Sequence, residues 1–172
     1  MFRQMRRKNQ SLELEECQEL LKRGSSGVLS VWGDGGYPYG VPMSYVYFNS
    51  RLYFHCAKSG HKLDAVKKNS KASFCIIAQD DIMSEEYTTL FKSVIVFGNI
   101  KVMENEEEIM RAIDALGRKY VPDDSAVNRE NAIKKDWEAL CMLEMSVEHL
   151  SGKQSRALAE MRRKGCLLYT SP

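Results

Sequence analysis

The chain has 172 residues, 44% hydrophobic and 28% charged, with a formal net charge of +2. That length suits one core, and that balance excludes a disordered, collagenous or membrane-embedded chain as the main description. Residues 1–8 and 153–164 each carry +4, which leaves −6 between them; without a basic stripe interleaved with aromatics these are solvated ends, and no nucleic-acid partner is expected.

Arg3, Arg6, Arg7 and Lys8 are followed by Asn9-Gln10-Ser11 rather than an apolar stretch, so no signal peptide is expected. The longest apolar runs, Phe74–Ala78 and Val94–Phe97, fall far short of the roughly 20 residues of a membrane span, so no membrane partner is expected. Cys17, Cys56, Cys75, Cys141 and Cys166 form no CxxC pair, which reads as reduced thiols in a cytoplasmic protein with no metal.

The pattern predicts a first helix opening at Ser11, with Glu13, Glu15 and Glu16 early, Lys22 and Arg23 late and Gly24 closing it. Val28–Trp32 reads as a strand, Gly33-Asp34-Gly35-Gly36 as a turn, and Val41–Phe48 as one returning strand. Asn49-Ser50 turns into a third strand, Leu52–Cys56. A short helix runs through Leu63, Val66 and Asn69, and strands follow at Ala72–Ala78 and Thr89–Val102 with Gln79–Glu86 as a loop or wide hairpin.

Glu104–Tyr120 predicts a helix with one apolar face, and Asn128–Trp137 a second. Leu143, Met145 and Val147 then alternate with Glu144, Ser146 and Glu148, a sixth strand. Short strands at close spacing with a few helices predict a mainly β fold with α: an antiparallel six-stranded barrel with flanking helices. Residues 1–164 are read as one domain, and residues 165–172 as a tail outside the fold.

No Walker loop, GxSxG elbow, HExxH or strand-GxGxxG-helix is present, so any redox cofactor is held by other means. The most informative segment is His55–Lys68. A strand ends, small residues turn the chain, and a helix begins with Ser59, Gly60 and Lys62 at its mouth, where backbone N–H groups, a hydroxyl and an ammonium converge on a site suited to a phosphate monoester. The bland alternative is a surface lysine beside a capped helix. His55 ends its strand, where a histidine is more often structural than catalytic. Lys92–Gly98 reads as a barrel strand with a bend at the glycine.

Met5-Arg6-Arg7-Lys8, Gly40–Tyr45, Leu52–Ala57 with Gly60 and Lys62, Phe91–Gly98 and His149–Lys153 together resemble the pyridoxamine 5'-phosphate oxidase-like flavoproteins, most closely their nitroimidazole-reductase-like branch. The resemblance spans Met5 to Lys153 and implies a split β-barrel homodimer binding FMN between subunits. By the family pattern, Lys62 and Ser59 hold the FMN phosphate with His55, Cys56 and Ala57 nearby. Val41, Pro42, Met43 and Ser44 line the ring, and Lys92, Ser93 and Val94 complete the site. His55 takes a substrate-side role, as proton donor or ligand-positioning group. The ending His149–Lys153 followed by a basic helix departs from the arginine- and histidine-bearing substrate segment of true pyridoxamine phosphate oxidases.

The implied activity is an FMN-dependent oxidoreductase passing electrons from transient NADH or NADPH, or another donor, to a nitroaromatic, nitroimidazole-type compound or quinone. The alternatives are a non-catalytic module binding flavin, haem or deazaflavin, or pyridoxamine-phosphate-oxidase-type activity.

Overall fold

The computed structural model describes residues 1–165; Cys166–Pro172, and with them nearly all of the expected tail, lie outside the described residues. In chain order the elements are α1 (Leu14–Arg23), β1 (Ser26–Trp32), β2 (Pro38–Ser44), β3 (Val46–Phe48), β4 (Arg51–Ala57), α2 (His61–Lys68), β5 (Lys71–Met83), β6 (Thr88–Val102), α3 (Glu106–Tyr120), α4 (Ala126–Asp136), β7 (Leu140–Gln154) and α5 (Arg156–Arg163).

Three of the five described α-helices begin where the sequence supplies a side-chain cap. The Asn105 side chain accepts from the Glu108 N–H at the head of α3, Ser125 from Asn128 at α4, and Ser155 from Leu158 at α5, each satisfying a donor that the first turn leaves open. The strands form one antiparallel sheet in the order β2-β1-β5-β6-β7-β4-β3. β2 returns into contact with β4 without pairing to it, so the sheet curls into an open barrel.

Leu29, Phe54, Phe74, Val94, Val96 and Leu143 have no exposed surface and fill the interior, and Leu21 of α1 and Leu63 and Val66 of α2 pack onto them. A second cluster, with Tyr53, Met103, Ala112, Leu116 and Met142, lies between the other face of β4 and β7 and helix α3. The β6–β7 register shifts by one residue at Phe97/Gly98, where Glu148 of β7 is the extra residue, while β6 stays in register with β5. A Cβ on Gly98 would overlap the carbonyl oxygen of Ser146, so only glycine fits this close approach.

Three expectations differ. The barrel has seven strands rather than six, because the stretch read as one strand, Val41–Phe48, breaks at Tyr45. There the chain leaves β1, the partner of β2, and turns to β4, the partner of β3. Tyr45 is fully buried, its hydroxyl donating to the Leu21 carbonyl at 2.7 Å. The C-terminus of α3 clamps this switch: Lys119 Nζ donates to the carbonyls of Gly24 (2.6 Å) and Tyr45 (3.0 Å) and lies 3.9 Å from the Tyr45 ring centre. The Tyr120 hydroxyl bonds the Ser25 carbonyl and accepts from the Tyr45 N–H.

The second difference is how far β5 reaches: Gln79–Glu86, read as a loop or wide hairpin, is the hairpin, and β5 runs on past Ala78 through a bulge between Ile77 and Gln79 to Met83, paired with β6 as a ribbon that turns at Ser84–Glu86. Its side chains are exposed or half-exposed on both faces, so no alternation marks it in the sequence. Third, β7 is far longer than its alternating core, because its second half pairs with β6 through polar residues down to Gln154.

Candidate functional site

The mouth of α2 is built by three neighbours. Gly60 turns the chain with φ +119° and ψ 166°, a backbone conformation L side chains rarely adopt, and its carbonyl accepts from the N–H groups of Leu63 and Asp64. The His61 ring stacks on Tyr39 with centroids 4.1 Å apart, and its Nε2 lies 3.5 Å from the Asp34 carboxylate, which fixes the helix start against the β1–β2 hairpin. Lys62, half-buried, folds over β2 with Nζ 3.1 Å from the Met43 sulfur.

Strand alternation sorts the expected residues. On β4, Cys56 shares the interior face with Phe54, while His55 is exposed on the opposite face, in the row of Tyr53. Cys56, Lys62 and Met43 therefore come together at one rim of the barrel. Burial pushes the Cys56 thiol up to about 12, with Cys141 adding to the rise and the Lys62 ammonium opposing it. Ala57 and Ser59 are exposed in the loop leading into Gly60.

On β2, Val41 and Met43 face inward and Pro42 and Ser44 outward. On β6, Val94 is sealed in the core and Ser93 lies on the outer face with Ile95. Lys92 turns toward α1, 3.0 Å from Glu16, which also accepts from Arg162 at 2.8 Å. Pro42 and Ser93 thus share the outer face but sit three strands apart, about 14 Å at ordinary strand spacing. Between them this face exposes Val28, Ile77 and Ile95, with Trp32 and Phe97 farther along.

Two features escaped sequence reasoning. Cys141 stands directly opposite Cys56 in the β4–β7 ladder, 85 positions away in the chain. A cleft of about 390 Å³ opens behind α2, lined among others by Lys58, Leu63, Lys67, Trp137 and Cys141. Neither leaves a local signal, because both are made by elements distant in sequence. Among the described residues no cluster of three or more His, Cys, Asp or Glu side chains is placed to hold a metal ion, and no helix is long and apolar enough to cross a membrane.

The model of the pyridoxamine 5'-phosphate oxidase family matches residues 13–154, from the lead-in to α1 to the last residue of β7. The chain belongs to this family. Solved structures share the oxidase-family fold at low identity. A candidate 5-nitroimidazole antibiotic resistance protein from Bacteroides thetaiotaomicron aligns with TM-score 0.71 and 19% identity over 84% of this chain and 86% of its own. A conserved hypothetical protein from Mycobacterium tuberculosis aligns with TM-score 0.78 and 14% identity over 98% and 97%. An FAD- and haem-binding protein from Mycobacterium smegmatis aligns with TM-score 0.70 and 21% identity over 87% and 74%. No curated protein sequence matches the chain.

Within this family frame the donor set at α2 fits a flavin phosphate. Ser59 and Lys62 flank in sequence a glycine whose missing Cβ leaves open space, at a helix start whose first N–H groups have no intrahelical partner, while the Lys62 ammonium sits beside Met43 of β2.

Proposed function

We propose that this protein is a cytoplasmic FMN-dependent oxidoreductase that works as a homodimer and reduces a small electrophile, a nitroaromatic of the nitroimidazole type or a quinone, with NADH or NADPH as donor. The reading rests on Ser59, the Gly60 turn and Lys62 following one another at the start of α2, in a chain of the pyridoxamine 5'-phosphate oxidase family. The flavin-binding neighbour from M. smegmatis supports the cofactor class, and the B. thetaiotaomicron neighbour the substrate class.

Lys62 and Ser59 bind the phosphate, with Cys56 and Ala57 shaping the approach. Pro42, Ser44 and Ser93 face the ring from the outer surface, while Val41, Met43 and Val94 support their strands from within. Lys92 holds β6 to α1 through Glu16. Bound flavin supplies two-electron transfer between donor and acceptor. His55, exposed at the end of β4, donates a proton to the acceptor from its imidazole.

The roughly 14 Å between Pro42 and Ser93, and the apolar stretch they flank, argue for a second copy closing the site, since monomers rarely leave such a patch in water. Light scattering at micromolar concentration is expected to read a dimer.

The test is the absorbance spectrum of purified protein and of Lys62→Ala, each titrated with FMN. Loss of a charge-assisted hydrogen bond, about 1.5–3 kcal/mol, weakens FMN binding by roughly 10- to 150-fold. A parent that stays colourless with added FMN refutes the cofactor. An FMN-loaded parent whose spectrum does not bleach under anaerobic NADH or NADPH, and which turns over no nitroaromatic or quinone, refutes the activity.

A further inference from the structure

The β4–β7 ladder runs without a register shift from Arg51 opposite Ser146 to Ala57 opposite Leu140, so Cys56 and Cys141 are direct cross-strand neighbours. Both side chains lie on the interior face, Cys56 in line with Phe54 and Cys141 with Leu143. Directly opposed residues of an antiparallel pair have Cα atoms about 4.5–5.5 Å apart, within the range that a disulfide spans. Neither of the other described thiols has such a neighbour: Cys75 is flanked by Val28 and Ile95, and Cys17 lies on α1 under Leu12 and Gly152. Both cysteines of the pair are free. Cys56 is half-buried at the barrel rim, and Cys141, though buried, lines the cleft behind α2.

We propose that Cys56 and Cys141 are a modification site, a dithiol that closes to an intrachain disulfide by exchange with a low-molecular-weight disulfide of the glutathione type. The Cys56 thiol, the more exposed of the two and the one beside the Lys62 ammonium, loses its proton and attacks one sulfur of the reagent. The reagent's S–S bond breaks, a protein–glutathione mixed disulfide forms and one glutathione thiol leaves. Cys141 then attacks the Cys56 sulfur and expels the second glutathione. Two protein thiols are oxidised, the reagent disulfide is reduced to two thiols, and the two protons pass to the leaving thiolates or solvent. Reversible intracellular disulfides of this kind are sensing or catalytic rather than structural. Burial holds the Cys56 thiol protonated at neutral pH, with its proton lost only near about 12, so closure is slow there and speeds up about tenfold for each unit of pH.

The experiment treats the full chain with excess glutathione disulfide, quenches with acid, alkylates under denaturing conditions and reads intact mass and peptide maps. The expected result is a fall from five alkylatable thiols to three, with a single link between the peptides holding Cys56 and Cys141. The rate is expected to rise roughly 100-fold between pH 7 and pH 9. Cys141→Ala is expected to stop at a glutathione adduct on Cys56, and Cys75→Ala to keep the link. A parent that retains five thiols, a link between other cysteines or between chains, or a rate flat across that pH range overturns the proposal. The map of the unmutated chain decides the matter even if Cys141→Ala does not fold, and it is independent of whether flavin binds.

Discussion

Replacing Lys119 with methionine keeps the chain length and removes the ammonium that joins α3 to the β2–β3 switch. Two terms oppose each other. The ammonium donates to the carbonyls of Gly24 and Tyr45, and a hydrogen bond from a charged donor contributes about 1.5–3 kcal/mol. Against this, burial lowers the Lys119 pKa from 10.5 to about 8, a cost to keeping the charge inside. The undiscounted shift is worth about 3 kcal/mol, and because the side chain is only half-buried about 1–2 is the better figure.

The net expectation for Lys119→Met at pH 7 is a loss of about 1–3 kcal/mol, or roughly 2–12 °C in Tm for a chain of this size. The pH dependence is the sharper readout. Between about 8 and 10.5 the unfolded chain binds a proton on Lys119 that the folded chain has released, so this residue makes stability rise with pH across that window, and the gain is lost as pH falls back through about 8. Urea unfolding followed by circular dichroism at pH 7.5, 9 and 10 measures it. The gap between parent and variant should widen in the parent's favour by about 1 kcal/mol or more across the window; parallel curves would refute the buried-ammonium argument.

Two further substitutions test the frame. Gly98→Ala places a methyl against the Ser146 carbonyl where β6 and β7 shift register, and is expected to leave little folded protein; soluble expression with an unchanged Tm would contradict the close approach. Asp114 accepts from Arg129 at 2.6 Å, and that hydrogen bond, with a second from Arg118, holds its carboxyl below the usual value of 3.8. Asp114→Asn is therefore expected to cost about 1 kcal/mol at neutral pH. The difference from the parent should be full above pH 4 and vanish as acid protonates the parent carboxyl; a difference that persists in acid would point to packing instead.

The helices and the inner strands were legible because their signals are local. Asn105 caps a helix that its acidic first turn and apolar spacing already mark, Ser125 caps the next, and Leu52–Cys56 has the apolar and aromatic run of a strand between turns. The break at Tyr45 was not legible, since Val41–Phe48 has strand composition throughout and only the competing partners β1 and β4 divide it. The ribbon beyond Ile77 could be read only as a loop or wide hairpin for the opposite reason: wet on both faces, it shows no period that would choose between them.

At the candidate site, the turn at Gly60 and the lysine two residues later could be read directly. Which of the neighbouring residues face Lys62 could not, because one step of register on β2 or β4 exchanges Met43 for Ser44 and Cys56 for His55. Cys141 needed the tertiary pairing itself.

The last strand made, β7, lies between β6 and β4 near the middle of the sheet. Until residues 140–154 leave the ribosome, the chain can hold only two fragments, β2-β1-β5-β6 and β4-β3, each with an open edge where β7 belongs. Unpaired edges of this kind recruit other chains. Biosynthesis of this protein thus carries a long interval in which most of the polypeptide exists and its sheet cannot close, so yield should depend on chaperone supply and on the rate of translation far more than the stability of the finished barrel suggests.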